Sequence, residues 1–269
     1  MTIHREICFD HLESDLRLMA EIGTLVYVGN PGNWGDALIA AGTKKFFYDR
    51  GIKVKYLSLS AALSCSALGL RLKLGTLKPI MIFAGNGAFI KDYKRKAQIE
   101  SIFGKFYHNL ILPSTYGMAL DTRSANRSVI MYRRDQYQSS DFSPQSKFCH
   151  DMAFTLIAPE VFVNKESGFF FREDVESPKN ILLPKNNRDL SNEGNASSSV
   201  NEFFNIVGSF SKIYTNRLHV AIAGSLLNRE VHLFPNSYFK NEAIYKSSLK
   251  PFFLNTHFHE TTPQAFGLC

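Results

Sequence analysis

Short apolar runs recur along the chain, and each breaks off into glycine, asparagine or charged residues. Runs of this kind read as buried strands whose ends open into loops. In the first half these are "TLVYVG" (24–29), "PIMIFAG" (79–85), "NLILPST" (109–115) and "SVIMYRR" (128–134), with "KVKYLSL" alternating like a further strand. Between them, residues 5–22 put Ile7, Leu12, Leu16, Met19 and Ile22 on one side of a helix. "ALIAAGTKKFFYDRG" predicts a second helix that stops at Gly51.

The pattern restarts after Asp151. "GFFFRED" (168–174) and "NILLP" (180–184) read as strands, and "KNNRDLSNEGNASSS" (185–199) as a polar loop, with disorder as one of its readings. "SVNEFFNIVGSF" then predicts a helix, "KIYT" a strand, "RLHVAIAGSLLN" a helix and "VHLF" a strand. Strands alternating with helices imply parallel βαβ units, so the expected class is α/β. Two halves, 1–155 and 156–269, are the economical division.

Composition narrows the function more than the fold. A hydrophobic fraction of 45% over 269 residues suffices for a sizeable core, and the net charge of +7 is modest for that length. No RNP-like, zinc-finger or helix-turn-helix signature accompanies it, so no nucleic-acid partner is expected. The basic stretches "RLKLGTLK" (71–78) and "KDYKRK" (91–96) are candidates for peripheral contact with an anionic membrane, against a plainer reading as exposed faces. Cys8, Cys65, Cys149 and Cys269 are scattered without CxxC spacing, which argues against a zinc site or a disulfide framework. The start of the chain has no signal-peptide core, and no run approaches the roughly 18 apolar residues of a membrane span. The expected location is cytoplasmic, at most at the inner face of the plasma membrane. His257 and His259 come nearest to a ligand pair but read as surface residues, so no metal is expected.

Chemistry concentrates in three loops. After the first strand, Gly29, Gly32 and Gly35 surround Asn30, Asn33 and Asp36, where an open parallel sheet binds ligands. The spacing is neither GxGxxG with an acidic ribose anchor nor a Walker loop. Asp36 reads either as a helix cap or as a contact to substrate hydroxyls. Trp34 reads either as a stacking platform for a pyranose or as cover for the core edge. Gly85, Asn86 and Gly87 form a second loop of the same character. In the third, Arg217 and His219 stand at the head of an apolar helix, where positive charge is unfavourable unless an anion occupies the site. Backbone N–H groups there, Arg217, and Lys240 from a later loop compose a phosphate or carboxylate cradle, with His219 exchanging a proton.

These stretches carry a resemblance. "GNPGNWGDALI", "AGNGAF", "ILPST", "CHDMAF", "FFFREDVE" and "NRLHVAIAGSLLNREVHLFPNSYFKN" occur in the order found in the polysaccharide pyruvyl transferase family. The last is similar to the family's (S/T)-D-R-L-H helix followed by a D-N-S-Y-G-K-N loop, with departures at Asn216, Pro235 and Phe239. The resemblance implies a GT-B-like architecture, two Rossmann-like halves with mainly parallel sheets facing a central cleft. It implies transfer of a pyruvyl group from phosphoenolpyruvate to a sugar or lipid-linked oligosaccharide, forming a ketal and releasing phosphate, with no cofactor. The matching positions are Asp36, Arg134, Arg172, Arg217, His219, Asn236 and Lys240. His219 and Asp36 are then the catalytic candidates. Arg217, Lys240, Asn236, Arg134 and Arg172 are the donor-binding ones, and Asn30, Asn33, Trp34 and Asn86 face the acceptor. Two other readings stay open: a GT-B glycosyltransferase using a nucleotide sugar, and a non-catalytic glycan- or anion-binding relative.

Overall fold

The structure, a computed structural model, describes residues 7–64, 67–86, 89, 103, 105–119, 128–264 and 266–268. The "KDYKRK" run, Gly87, Cys65 and Cys269 lie outside the described residues. The chain forms two compact units. One gathers Gly32–Ala41 with Leu156–Cys269, and the other Cys8–Pro31 with Gly42–Thr155. The segment Gly32–Ala41, expected with the N-terminal half, therefore belongs with the C-terminal residues.

The unit containing Gly42–Thr155 is built on a six-stranded sheet. Its strands are β1 (Thr24–Gly29), β2 (Lys55–Ser58), β3 (Pro79–Phe83), β4 (His108–Ser114), β5 (Val129–Arg133) and β6 (Lys147–Phe148), in the order β2-β1-β3-β4-β5-β6. Every pairing is parallel. The continuous apolar runs of β1, β3 and β4 follow from this placement, because central parallel strands are covered on both faces. Helix α1 (Asp10–Ile22) buries Leu12, Leu16 and Met19, but Ile22, expected on the same face, is 52% exposed. Helix α2 (Trp34–Asp49) follows β1. Helices α3 (Leu59–Leu63) and α4 (Ala67–Leu74) precede β3, and Leu70 and Leu74 pack on Val26, Met81 and Phe83. A single turn, α5 (Ser139–Phe142), links β5 to β6.

The other unit holds a four-stranded parallel sheet, order β10-β9-β8-β7. Its strands are β7 (Lys165–Phe170), β8 (Phe210–Thr215), β9 (Glu230–Leu233) and β10 (Thr256–Phe258). Phe170, Thr215, Leu233 and Phe258 stand in register, so the carboxyl ends of all four strands form one edge. Helix α6 (Val200–Gly208) starts at Ser199, whose side chain accepts from Glu202 N. Helix α7 (Leu218–Leu226) is apolar nearly all round and lies on β8 and β9. Gly224 allows that approach, since a Cβ there would sit 2.7 Å from Ile213 and 2.8 Å from Val231. Helix α8 (Lys240–Ile244) follows β9.

Three expectations need correction. "NILLP" is not a strand: Asn180 enters with φ of 59°, Pro184 has no N–H to donate, and Leu182 is 62% exposed. The polar 185–199 stretch is ordered. Asn187 pairs with Phe171 through both its amide and its carbonyl, and Leu190 is fully buried. His257 is exposed, but His259 turns inward, with Nε2 2.8 Å from His232 Nδ1 and its ring against Phe266.

Candidate functional site

The aligned ends of β7, β8 and β9 are tied together by side chains. Thr215 donates to Phe170 O at 2.6 Å and accepts from Arg217 N at 2.9 Å, turning the chain from β8 into α7. Asn216 Oδ1 accepts from Arg172 N at 2.7 Å. Asn241 donates to Asn216 O at 2.8 Å and Phe234 O at 2.9 Å, which fastens the third strand end to the second.

Over this edge lies a closed network of charges. Arg217 donates through Nη1 to Asp174 at 2.7 Å, and through Nε and Nη2 to the two oxygens of Asp189. Arg172 spans Asp174 and Glu176, with Nε 2.8 Å from Asp174 Oδ1 and Nη1 2.6 Å from Glu176 Oε2. Lys240 binds the same Glu176 oxygen, and Asn236 Nδ2 approaches it at 3.4 Å. Arg172, Arg217 and Lys240 are thus matched by Asp174, Glu176 and Asp189, all held by this chain. The expected cationic cradle is closed, with its charge cancelled. Burial works to raise the carboxyls of Asp174 and Glu176, but the cations outweigh it. Arg172 and Arg217 hold Asp174 at about 2, and Lys240 and Arg172 hold Glu176 at about 2. Burial opposes the charge on Arg172 as well, yet these two acids leave it above its ordinary value.

The backbone and the amides at the same edge are less fully used. Helix α7 starts at Arg217 without a side-chain cap. Asn216 Nδ2, Asn236 Oδ1 and Asn241 Oδ1 are buried with no hydrogen-bond partner among the described residues. Buried polar atoms are nearly always paired, whether by protein, by water or by a ligand.

The glycine loop after β1 reaches this unit through Gly32–Ala41. Asn33 Oδ1 accepts from Gly35 N at 2.9 Å and Asp36 Oδ2 accepts from Asn33 N at 3.0 Å, a reciprocal cap on α2. Asp36 therefore caps, whatever else it does. Gly35 lies directly on His219: a Cβ there would be 2.5 Å from the imidazole Nδ1. The half-buried His219 is thereby seated between the first turns of α7 and α2.

Trp34 belongs to the core. It is 4% exposed, donates from Nε1 to Ser199 O at 3.0 Å, and meets Phe203 edge-on at 5.5 Å. An indole so enclosed offers no face to a sugar. Arg134, Asn30 and Asn86 lie in the other unit. There Arg134 is 1% exposed, paired with Asp151 at 2.6 Å and bonded to Thr115 at 2.8 Å. Asn86 is buried, and its Nδ2 donates to Ala84 O at 3.3 Å. Asn30 is half-buried after β1.

Sequence reasoning missed Asp174, Glu176, Asp189, Asn216 and Asn241. The alternation of Arg172, Asp174 and Glu176 in "FREDVE" was the available signal. Asp189 had none, standing in a stretch with no apolar period.

Among the described residues no group of three or more His, Cys, Asp or Glu side chains is arranged to hold a metal ion, and no helix is long and apolar enough to cross a membrane. No curated protein sequence matches the chain. Among solved structures, the crystal structure of the functionally uncharacterized protein KP1_0663 from Klebsiella pneumoniae subsp. pneumoniae NTUH-K2044 is similar. It is 27% identical with a TM-score of 0.73, over 97% of this chain and 100% of that one. The family model for polysaccharide pyruvyl transferase matches residues 33–238. That span includes Asn33 and Asp36, the Arg172 network apart from Lys240, and the helix that Arg217 and His219 open. The chain belongs to the polysaccharide pyruvyl transferase family.

Proposed function

We propose that the protein transfers the pyruvyl group of phosphoenolpyruvate to a sugar of a surface polysaccharide or its lipid-linked precursor. The product is a pyruvate ketal, and inorganic phosphate is released. The GT-B-like pairing of the units and action at the inner face of the plasma membrane form part of this reading. The observation that carries it is the uncapped start of α7 beside the unpartnered Asn216 Nδ2, with His219 in the helix's first turn. Helix N–H groups and an amide donor suit an oxyanion even where the neighbouring guanidinium is already engaged.

The donor's phosphate and carboxylate would draw Arg217 and Lys240 from their carboxylate partners. Asp174 is the acid best placed to yield, because its side chain is 27% exposed against 8% for Glu176 and 6% for Asp189. His219 then protonates the donor's methylene carbon, leaving positive charge on the adjacent carbon, which a sugar hydroxyl attacks. Phosphate leaves with its bonding electron pair, and a second hydroxyl of the same sugar closes the ketal. The two hydroxyl protons return to His219 and to the departing phosphate, so no external oxidant or reductant is needed. General acid–base assistance of this kind contributes about 10²–10⁴ in rate.

Phosphate release from phosphoenolpyruvate across a panel of glycan acceptors tests the reading. Acceptor-dependent release supports it, whereas release seen only with nucleotide sugars would move the protein to another reaction class. The neutralised charge network favours one second reading, a relative that binds glycans without transfer. Glycan binding with no phosphate release from any acceptor would select that alternative.

A further inference from the structure

From Arg50 to Lys91 the sequence contains no acidic residue, while Lys53, Lys55, Arg71, Lys73 and Lys78 fall inside that stretch. The fold gathers part of it at the amino-terminal ends of β3 and β4, the edge of the six-stranded sheet opposite its ligand-type loops. A cavity of about 370 Å³ opens there, lined by Ile22, Arg71, Leu77, Lys78, Phe106 and His108 among others. Its apolar lining is exposed at Leu77 (81%), Ile22 (52%) and Phe106 (51%), and Leu72, next to the lining residue Arg71 in the chain, is 73% exposed. Each of three of these stands beside a cation in the chain, Leu72 between Arg71 and Lys73, Leu77 before Lys78, and Phe106 after Lys105. Lys73, Lys78 and Lys105 are exposed. The Arg71 guanidinium lies 5.9 Å from the Tyr107 ring centre, and its Nε is buried without a partner among the described residues. Glu21, beside Ile22, is the one flanking acid in the sequence of these segments.

We propose that this shoulder docks the protein on an anionic lipid surface, with Leu72, Leu77, Ile22 and Phe106 entering the headgroup boundary and the cations facing lipid phosphates. Apolar side chains interleaved with cations are the two signals that together give reversible interfacial binding. A nucleic acid would satisfy the cations and leave the leucines in water. A second copy of the chain meeting the same face would set lysine against lysine.

Co-sedimentation with vesicles of phosphatidylcholine alone, and with about 30% phosphatidylglycerol added, tests the proposal. The full chain should bind the anionic vesicles, release from them as salt is raised, and leave the neutral ones unbound. Each cation near such a surface is worth about a five-fold change, so the triple variant K73E/K78E/K105E should lose more than about a hundred-fold in binding. L72S/L77S should weaken binding about ten-fold while keeping its salt dependence. Unchanged melting curves establish that both variants fold. Absent binding, equal binding to neutral vesicles, or full binding by the triple variant would overturn the proposal. So would light-scattering evidence of self-association that L72S/L77S abolishes. The proposal rests on the membrane location in the transferase reading; the assay contains neither donor nor acceptor, so its failure would remove that location and leave the transfer chemistry intact. Phosphate release with a water-soluble acceptor should be equal in the triple variant and the parent chain.

Discussion

Asp189 grips Arg217 with both carboxylate oxygens, Oδ1 accepting from Nε at 2.7 Å and Oδ2 from Nη2 at 2.5 Å. Both side chains are almost wholly buried. Asp189 also accepts from Glu173 N and Asn192 Nδ2, so one carboxylate fixes a guanidinium and two loops at once. Removing one member of a buried pair leaves an uncompensated charge, which typically costs about 3–5 kcal/mol. D189A should lower unfolding stability by about that amount in urea denaturation. A loss below about 1 kcal/mol would mean that the guanidinium finds water or another acid.

Asp174 stands differently. It shares Arg172 and Arg217 and is the most exposed of the three acids. If it competes with the donor for those cations, D174N should tighten phosphoenolpyruvate binding several-fold by calorimetry while costing less stability than D189A. Weaker binding in D174N would make Asp174 part of the donor site rather than its competitor.

His219 is tested from two sides. H219A should lower turnover by about 10²–10⁴ with donor affinity nearly kept. G35A should act through the same group, because its methyl would have to displace the imidazole it would approach at 2.5 Å. Its folded fraction should stay high while turnover falls. Near-normal turnover in H219A would remove His219 from the proton-donor role.

Acid should act in two steps. Burial pushes His150 down to about 4, among the rings of Phe9, Phe148 and Phe154. A folded-state value below the unfolded one means that the unfolded chain takes up the proton first. The stability His150 contributes is thus complete above pH of about 6.5 and is lost as pH falls towards 4, by up to about 3 kcal/mol. Burial lowers His232 and His259 in the same sense. Asp174 and Glu176, depressed to about 2, contribute stability that persists below this window and disappears as pH falls from about 4 to 2. Urea midpoints measured against pH should show both slopes, and H150F should flatten the upper one without removing it.

What could be read in advance depended on periodicity. The runs at 24–29, 79–85 and 109–115 read as buried strands because they are short, apolar and end in turn residues, and the RLH helix announced itself by its apolar length. The "NILLP" run misled because apolar content alone does not supply a pairing partner. The 185–199 stretch misled in the opposite direction: its order comes from amide and carboxylate bonds, which leave no hydrophobic period to detect. Arg217, His219 and Lys240 were legible as a group from spacing. That Arg217 and Lys240 are countered was not, because Asp174, Glu176 and Asp189 become their neighbours only through the alignment of the strand ends. Trp34 showed its chemistry but not its burial, which depends on Phe203 and Gly194 far along the chain.

Trp34 reaches Ser199 across 165 positions of sequence, and this has a consequence for how the polypeptide comes into being. The unit built mainly from its tail contains a piece translated near the beginning. A fragment spanning 156–269 alone would emerge with a vacancy where the indole belongs, and one spanning 1–155 would carry an orphaned plug. Severing the gene at that point should yield two insoluble products that become soluble when co-expressed, and the unit that gathers Gly32–Ala41 with Leu156–Cys269 can close only after the later segment has been made.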